Sequence, residues 1–270
     1  MTRPLAALAV LLAASSCAHA GIHLDDADAL KVGRKIWKNE ANMSVERLTH
    51  WNDGEDFASL GIGHFIWYKA GARGPFEESF PGLVEPLRAS SVPVPAWLQP
   101  GTPCPWKDKA DFDAQFHSAR TNELRDMLSS DRSISVQARY AADRAERSLP
   151  KVLAAAPASE RPILQARYDA VAAAPNGVYA LVDYVNFKGE GVSPTERYPS
   201  AAVPGTFEGW GLLQALELMP DSPPGQPAVE AFARAADAAL TRRVANSPPE
   251  RNESRWLDGW RKRLRTYAER

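Results

Sequence analysis

Residues 52–68 read NDGEDFASLGIGHFIWY. They decide the fold, because turn formers and aromatics interleave here instead of recurring at a helical period. Residues 41–76 hold most of the Gly, Asn and Asp turn signals of the first third, which predicts short strands or a hairpin. Gly61 and Gly63 let a backbone bend, or let a ligand approach a strand closely. Upstream, Asp25-Asp26 can cap a helix whose apolar face runs Leu30, Gly33, Trp37 and which ends near Asn39-Glu40. Downstream, a brief helix is predicted over 76–87. SVPVPAWLQPGTPCPW (91–106) then places five prolines in sixteen residues, which excludes helix and central strand alike. Because Trp97 and Trp106 want burial, this segment reads as a surface crossing within one domain.

From 108 onward the pattern is helical, with helices predicted near 108–118, 121–129, 133–148, 160–173, 177–187, 210–219, 227–245 and 253–268. Thr121 and Asp131 are the expected caps, and Pro-Pro at 223–224 and 248–249 marks breaks. The Ala-rich stretch 152–158 reads as a helix end plus loop. The expected fold class is mainly α with a small β-hairpin or sheet near the N-terminus, an α+β arrangement.

Residues 1–20 have the pattern of a secretory signal peptide. Arg3 is the basic region, Leu5 to Ala14 the apolar one, and Ala18-His19-Ala20 an A-x-A cleavage site. The apolar run is too short to span a bilayer core of roughly 30 Å. Lipoprotein processing at Cys17 is the second option. The expected location is periplasmic or secreted, with residues 21–270 as one catalytic domain and no transmembrane segment. Without Arg3 the formal charge passes from −1 to −2, which argues against nucleic acid as a partner. Cys104 is then the only mature cysteine, or Cys17 is lipidated, so no internal disulfide is expected and stability must come from packing.

Glu40 closes a predicted amphipathic helix with Trp37 one turn behind it. A carboxyl held at such an edge against an apolar wall has its charged form disfavoured, which suits a general acid. Asp53 and Glu55 lie in a wetter, turn-like context and stay ionised. Carboxylates in contrasting environments can divide the acid and stabiliser roles of glycoside hydrolysis. His64 can hydrogen-bond and orient a nearby acid. Taken singly, each has a plain structural explanation: a solvated helix-end Glu, a turn or bulge at Gly-Ile-Gly, a satisfied structural His.

Taken together, residues 53–64, DGEDFASLGIGH, resemble the active-site segment of phage-type lysozymes, muramidases of the lysozyme-like superfamily. There a helix ends in a catalytic Glu, and a hairpin then carries an Asp, a Ser/Thr position and a T-[IV]-G-[IYW]-G-H strand. Asp53, Glu55, Phe57, Ser59, Leu60, Gly61, Ile62, Gly63 and His64 fall in register with it. The resemblance implies Glu40 as general acid, Asp53 and Ser59 as residues governing the attacking water or developing cation, and His64 as support. The spacer from Glu40 to Asp53 is longer than in that family, which makes Glu55 the natural substitute. The resemblance covers about a tenth of the chain.

A second segment, LVDYVNFKGEG…EGWGLLQAL, has an apolar helix face of Leu181, Val182 and Val185 ending at Glu190, followed by Gly209-Trp210-Gly211-Leu212-Leu213-Gln214. It is similar to goose-type lysozymes and soluble lytic transglycosylases, in which a helix-ending Glu precedes a G-[LY]-[ML]-Q element. That resemblance implies Glu190 as a second candidate acid and Trp210 and Gln214 as substrate contacts. Trp51, Trp67, Tyr68, Trp97, Trp106 and Trp210 cluster around the two segments; sugar rings stack on such faces, which makes Trp67 and Tyr68 further candidate contacts, while burial in the core is the plain explanation of most of them. No HExxH or paired Cys/His spacing, G-x-S-x-G, Walker A loop or dinucleotide fingerprint occurs, so neither metal nor cofactor is expected. The expected function is an exported glycosidase acting on peptidoglycan or a related β-1,4-linked amino-sugar glycan, by hydrolysis or transglycosylation. The alternative is a non-catalytic glycan-binding protein that keeps the cleft.

Overall fold

A computed structural model describes residues 22–74 and 76–269; the export signal expected at 1–20, with Cys17, lies outside them. The first helix, α1 (Asp26–Ala41), starts at Asp25, whose carboxylate accepts from the Asp28 amide at 2.8 Å. It buries Ala29, Val32, Gly33, Ile36 and Trp37, a stripe at the helical period. Asn42 and Met43, both at positive φ, then stop it.

Three short strands follow, β1 (Thr49–His50), β2 (Phe57–Leu60) and β3 (Phe65–Tyr68), in an antiparallel sheet of order β1-β2-β3. The register pairs Ser59 with both His50 and Ile66. Gly61 opens the turn at φ +74°. Its missing side chain matters because a Cβ there would lie 2.3 Å from Gln137 Oε1. That buried oxygen accepts from the Ile62 amide at 2.9 Å, while Gln137 Nε2 donates to Leu128 O and the Ser133 hydroxyl. Gly61→Ala both forces a β-carbon into the left-handed region and breaks this clamp. It is expected to cost about 2–3 kcal/mol in urea denaturation; a loss under about 0.5 kcal/mol would show the clamp to be dispensable.

The remaining chain is helical: α2 (Phe80–Ala89), α3 (Lys109–Ala114), α4 (Ala119–Ser129), α5 (Asp131–Ala155), α6 (Arg161–Ala172), α7 (Pro175–Lys188), α8 (Leu212–Leu218), α9 (Gln226–Asn246) and α10 (Ser254–Ala268). The proline-rich crossing is irregular as expected, and Trp106 within it is buried. Three expectations are corrected. The caps of α4 and α5 are Ser118 and Ser130, not Thr121 and Asp131. Helix α5 runs on through Pro150 to Ala155 instead of ending near 148, and the Ala-rich stretch is the helix end plus loop expected. A second hairpin, β4 (Arg197–Pro199) with β5 (Phe207–Gly209), was not foreseen.

Helix α7 sits in the middle, packed by α1, α5, α6, α9 and α10. Every residue from Gly177 to Tyr184 is buried, as a helix enclosed on all sides requires. The buried apolar side chains form one continuous cluster from Leu24 to Tyr267. Among the described residues no helix is long and apolar enough to cross a membrane.

Candidate active site

Glu40 falls where the buried stripe of α1 would continue, three or four residues beyond Ile36 and Trp37, so its carboxylate turns inward. It meets not the apolar wall expected but a guanidinium: Arg263 of α10 donates to Glu40 Oε1. Arg263 is in turn held by Asp183 of α7 through a two-pronged contact, Nε to Oδ2 at 2.7 Å and Nη2 to Oδ1 at 2.8 Å. Asp183 also accepts from the Tyr267 hydroxyl at 2.7 Å and from Asn39 Nδ2 at 3.3 Å. Fully buried, it is compensated on both oxygens. Burial alone would lower the pKa of Arg263, but Asp183 and then Glu40 hold it above the ordinary value. Three helices thus fix one oxygen of Glu40.

The other oxygen faces the hairpin. His64 Nδ1 lies 3.5 Å from Glu40 Oε2, carried there by a left-handed backbone at φ +48°. Burial depresses the His64 pKa, an effect the Glu40 charge only partly offsets, so the imidazole is neutral near pH 7. His50 stacks behind it, ring centroids 6.2 Å apart. Since Arg263 can only donate, a proton carried by Glu40 belongs on Oε2, next to the imidazole and the open cleft.

That cleft has a volume of about 500 Å³ and is lined by Glu40, His64, Ile66, Phe76, Glu190 and others. The two candidate acids therefore share one cavity. Glu190 follows the end of α7 on a loop that the start of α8 pins from below. Leu212 N donates to Gly189 O at 3.1 Å and Leu213 N to Glu190 O at 3.0 Å. Gln214 does not line the cleft; its Nε2 donates to Gly191 O at 3.1 Å and its Oε1 accepts from Gly211 N at 3.0 Å. It positions the loop, and a Cβ on Gly191 would lie 2.2 Å from its Oε1. Lys151 of α5 reaches Glu190 Oε1 at 3.3 Å.

Other expected residues are placed elsewhere. Asp53 sits in a turn, its side chain 95% exposed, and its partner is Lys109 at 3.6 Å. Glu55 accepts from Asn52 in the same turn at 3.0 Å and does not line the cleft either. Ser59 is buried within β2, paired with Ile66 of the cleft wall but not itself lining the cavity. Trp67, Tyr68 and Trp210 are core residues, not sugar platforms. Trp210 lies under Arg243, whose guanidinium is 4.1 Å from its ring centre. Phe76, 58% exposed at the rim, is the aromatic face left open to a ligand. Sequence reasoning also passed over Asp183 and Arg263. The available signal was an acid flanked by Leu181, Val182 and Val185 on an otherwise apolar helix. Cys104 is buried, which raises its thiol pKa to about 12.

Below the Glu190 loop, Lys188 is buried between two rings, its Nζ 3.5 Å from the Trp260 centroid and 3.9 Å from that of Phe187. Burial, reinforced by Arg243, brings this amine down to about 6. Unfolded, it takes its proton near pH 10.5, so its contribution to stability falls as pH drops from that value towards 6. Lys188→Met is therefore expected to stabilise the protein at pH 7, by about 1–3 kcal/mol, because a thioether fills the space between the rings without giving up a proton on folding. The gain should shrink as pH rises towards 10. Thermal denaturation across that range checks both; a gain independent of pH would mean that the amine is already charged in the native state.

Comparison of the chain with protein-family models, curated proteins and solved structures finds no match, so a functional reading rests on these side chains alone.

Proposed function

We propose that the protein cleaves peptidoglycan, a β-1,4-linked amino-sugar strand, with Glu40 as general acid and Glu190 as the second carboxylate. The observation carrying this is that the two glutamates, Glu40 in the last turn of α1 and Glu190 just past the end of α7, line one open cleft with a neutral histidine against the first. Oε2 of Glu40 would protonate the bridging oxygen as its bond to the anomeric carbon breaks. Glu190 would stabilise the developing cation or receive a proton from the attacking water. Asp53, outside the cleft, has no part in this assignment. The export expected from residues 1–20 would bring the protein to such a substrate.

A second reading has its own support. Both carboxylates already carry a cationic partner, Arg263 and Lys151, as they would in a cleft that only binds glycan. Mass spectrometry of soluble products from purified peptidoglycan separates the two. Reducing ends indicate a hydrolase and anhydro ends a transglycosylase; absence of products over a prolonged incubation sinks the enzymatic reading.

A further inference from the structure

A groove of about 640 Å³, larger than the cleft, lies where α1, α7 and α9 begin. Helix α7 has 14 residues from Pro175 to Lys188; at about 1.5 Å each they put the groove about 20 Å from the Glu190 loop. The apolar walls are Val32, Ala174 and Pro175, extended by the alkyl stems of Lys31, Arg34 and Lys35. Three cations against one acid, Asp28, make up the charged lining. Arg34 is taken up by Asp131, at 2.9 and 3.1 Å. Lys31 lies 3.6 Å from Asp28, and Lys35 bonds the Glu269 carbonyl. Among the described residues neither lysine donates a hydrogen bond to a carboxylate. Their four-residue spacing puts both ammonium groups on one face of α1. Helices α7 and α9 start here with no side chain capping their first amides, which adds to the attraction for negative charge. Among the described residues no aromatic ring lines the groove, so its shape suits a flexible chain better than a planar ring.

We infer that this groove binds a single-chain carboxylate amphiphile of the fatty-acid class. The alkyl chain would lie along Val32, Ala174 and Pro175, with the carboxylate between Lys31 and Lys35. Apolar walls with a few polar groups at one edge are the usual make-up of a small-molecule site, and the volume is in the range of such sites. Neither half of the ligand suffices alone. A small anion would leave the walls wet, and a cationic chain would leave two amines without a counter-charge. The inference is independent of the reaction proposed for the cleft.

Calorimetry of the purified protein with decanoate, hexanoate and decyltrimethylammonium, each below its micellar concentration, tests this. Decanoate is expected to bind at least about 10-fold more tightly than hexanoate, because four further methylenes leave water. It should also bind at least about 10-fold more tightly than the cationic decyl chain, a ratio that falls as salt is raised. Lys31→Glu with Lys35→Gln should weaken decanoate at least about 5-fold and keep the dependence on chain length. Ala174→Phe fills the apolar floor and should remove that dependence. Lys31 is exposed, and Lys35 and Ala174 are half-buried, so both variants should fold, which circular dichroism checks. Equal affinity for the anionic and cationic chains, or for decanoate and hexanoate, overturns the inference. So does decanoate binding that is unchanged in both variants, which would place the ligand elsewhere. No decanoate binding below about 1 mM, together with a dimer in ultracentrifugation that Ala174→Phe dissolves, would overturn it and assign the groove to a second copy of the chain.

Discussion

Asp183→Ala is expected to lower stability by about 3–5 kcal/mol, the range for breaking a buried, fully bonded ion pair from one side. The carboxylate accepts from Arg263, Tyr267 and Asn39 with no access to water. Its removal leaves the Arg263 guanidinium with Glu40 alone and strands the Tyr267 hydroxyl, which is itself buried. For a chain of this size the loss corresponds to a fall in Tm of about 10 °C, measurable by thermal circular dichroism. A change below about 1 kcal/mol would show that water enters and replaces the carboxylate. The double variant Asp183→Leu with Arg263→Met replaces the pair by apolar groups of similar size, and should recover most of the stability. It should not recover activity, because Glu40 Oε1 then has no donor to fix it. Stability and function thus separate at one site.

Asp183 also shows where sequence reasoning stops. The helices of the C-terminal two-thirds were legible because their apolar residues recur at the helical period, and the hairpin was legible from its turn residues. Glu40, His64 and Glu190 were legible by type and position at element ends. Their meeting in one cleft was not, since it depends on how α1, α7 and the hairpin pack over long sequence distances. Periodicity reports burial and not partners: Asp183 interrupts an apolar face, but only the approach of α10 shows that Arg263 answers it. Aromatics mislead for a related reason. Trp67, Tyr68 and Trp210 stand near the site in sequence, yet their large apolar area goes to the core. The exposed ring is Phe76, on the irregular segment between β3 and α2. The β4–β5 hairpin was missed because its strands are only three residues each, with one buried residue between them, too short for an alternation to register.

Glu40→Gln is expected to reduce turnover of peptidoglycan by about 10³-fold, within the range by which a positioned acid accelerates a reaction, while substrate affinity changes less than about 3-fold. The amide is isosteric and its oxygen can still accept from Arg263, whose charge remains balanced by Asp183, so the cleft should keep its shape. What is lost is the transferable proton on the atom facing His64. The assay pH matters. His64 in the folded chain resists protonation more than it does unfolded, so stability falls as pH drops below the ordinary imidazole value of about 6.5. Turnover measured at pH 7 reports the chemistry without that loss of fold. Glu190→Gln removes the partner of Lys151 at an edge with some solvent access, so it should also fold, and it separates two mechanisms. If Glu190 handles the attacking water, its amide should approach the deficit of Glu40→Gln. If a sugar hydroxyl attacks internally, turnover should fall less than 10-fold and the products should carry anhydro ends. Undiminished product release by both variants would remove the two glutamates from the reaction, and with them the assignment of this cleft as an active site.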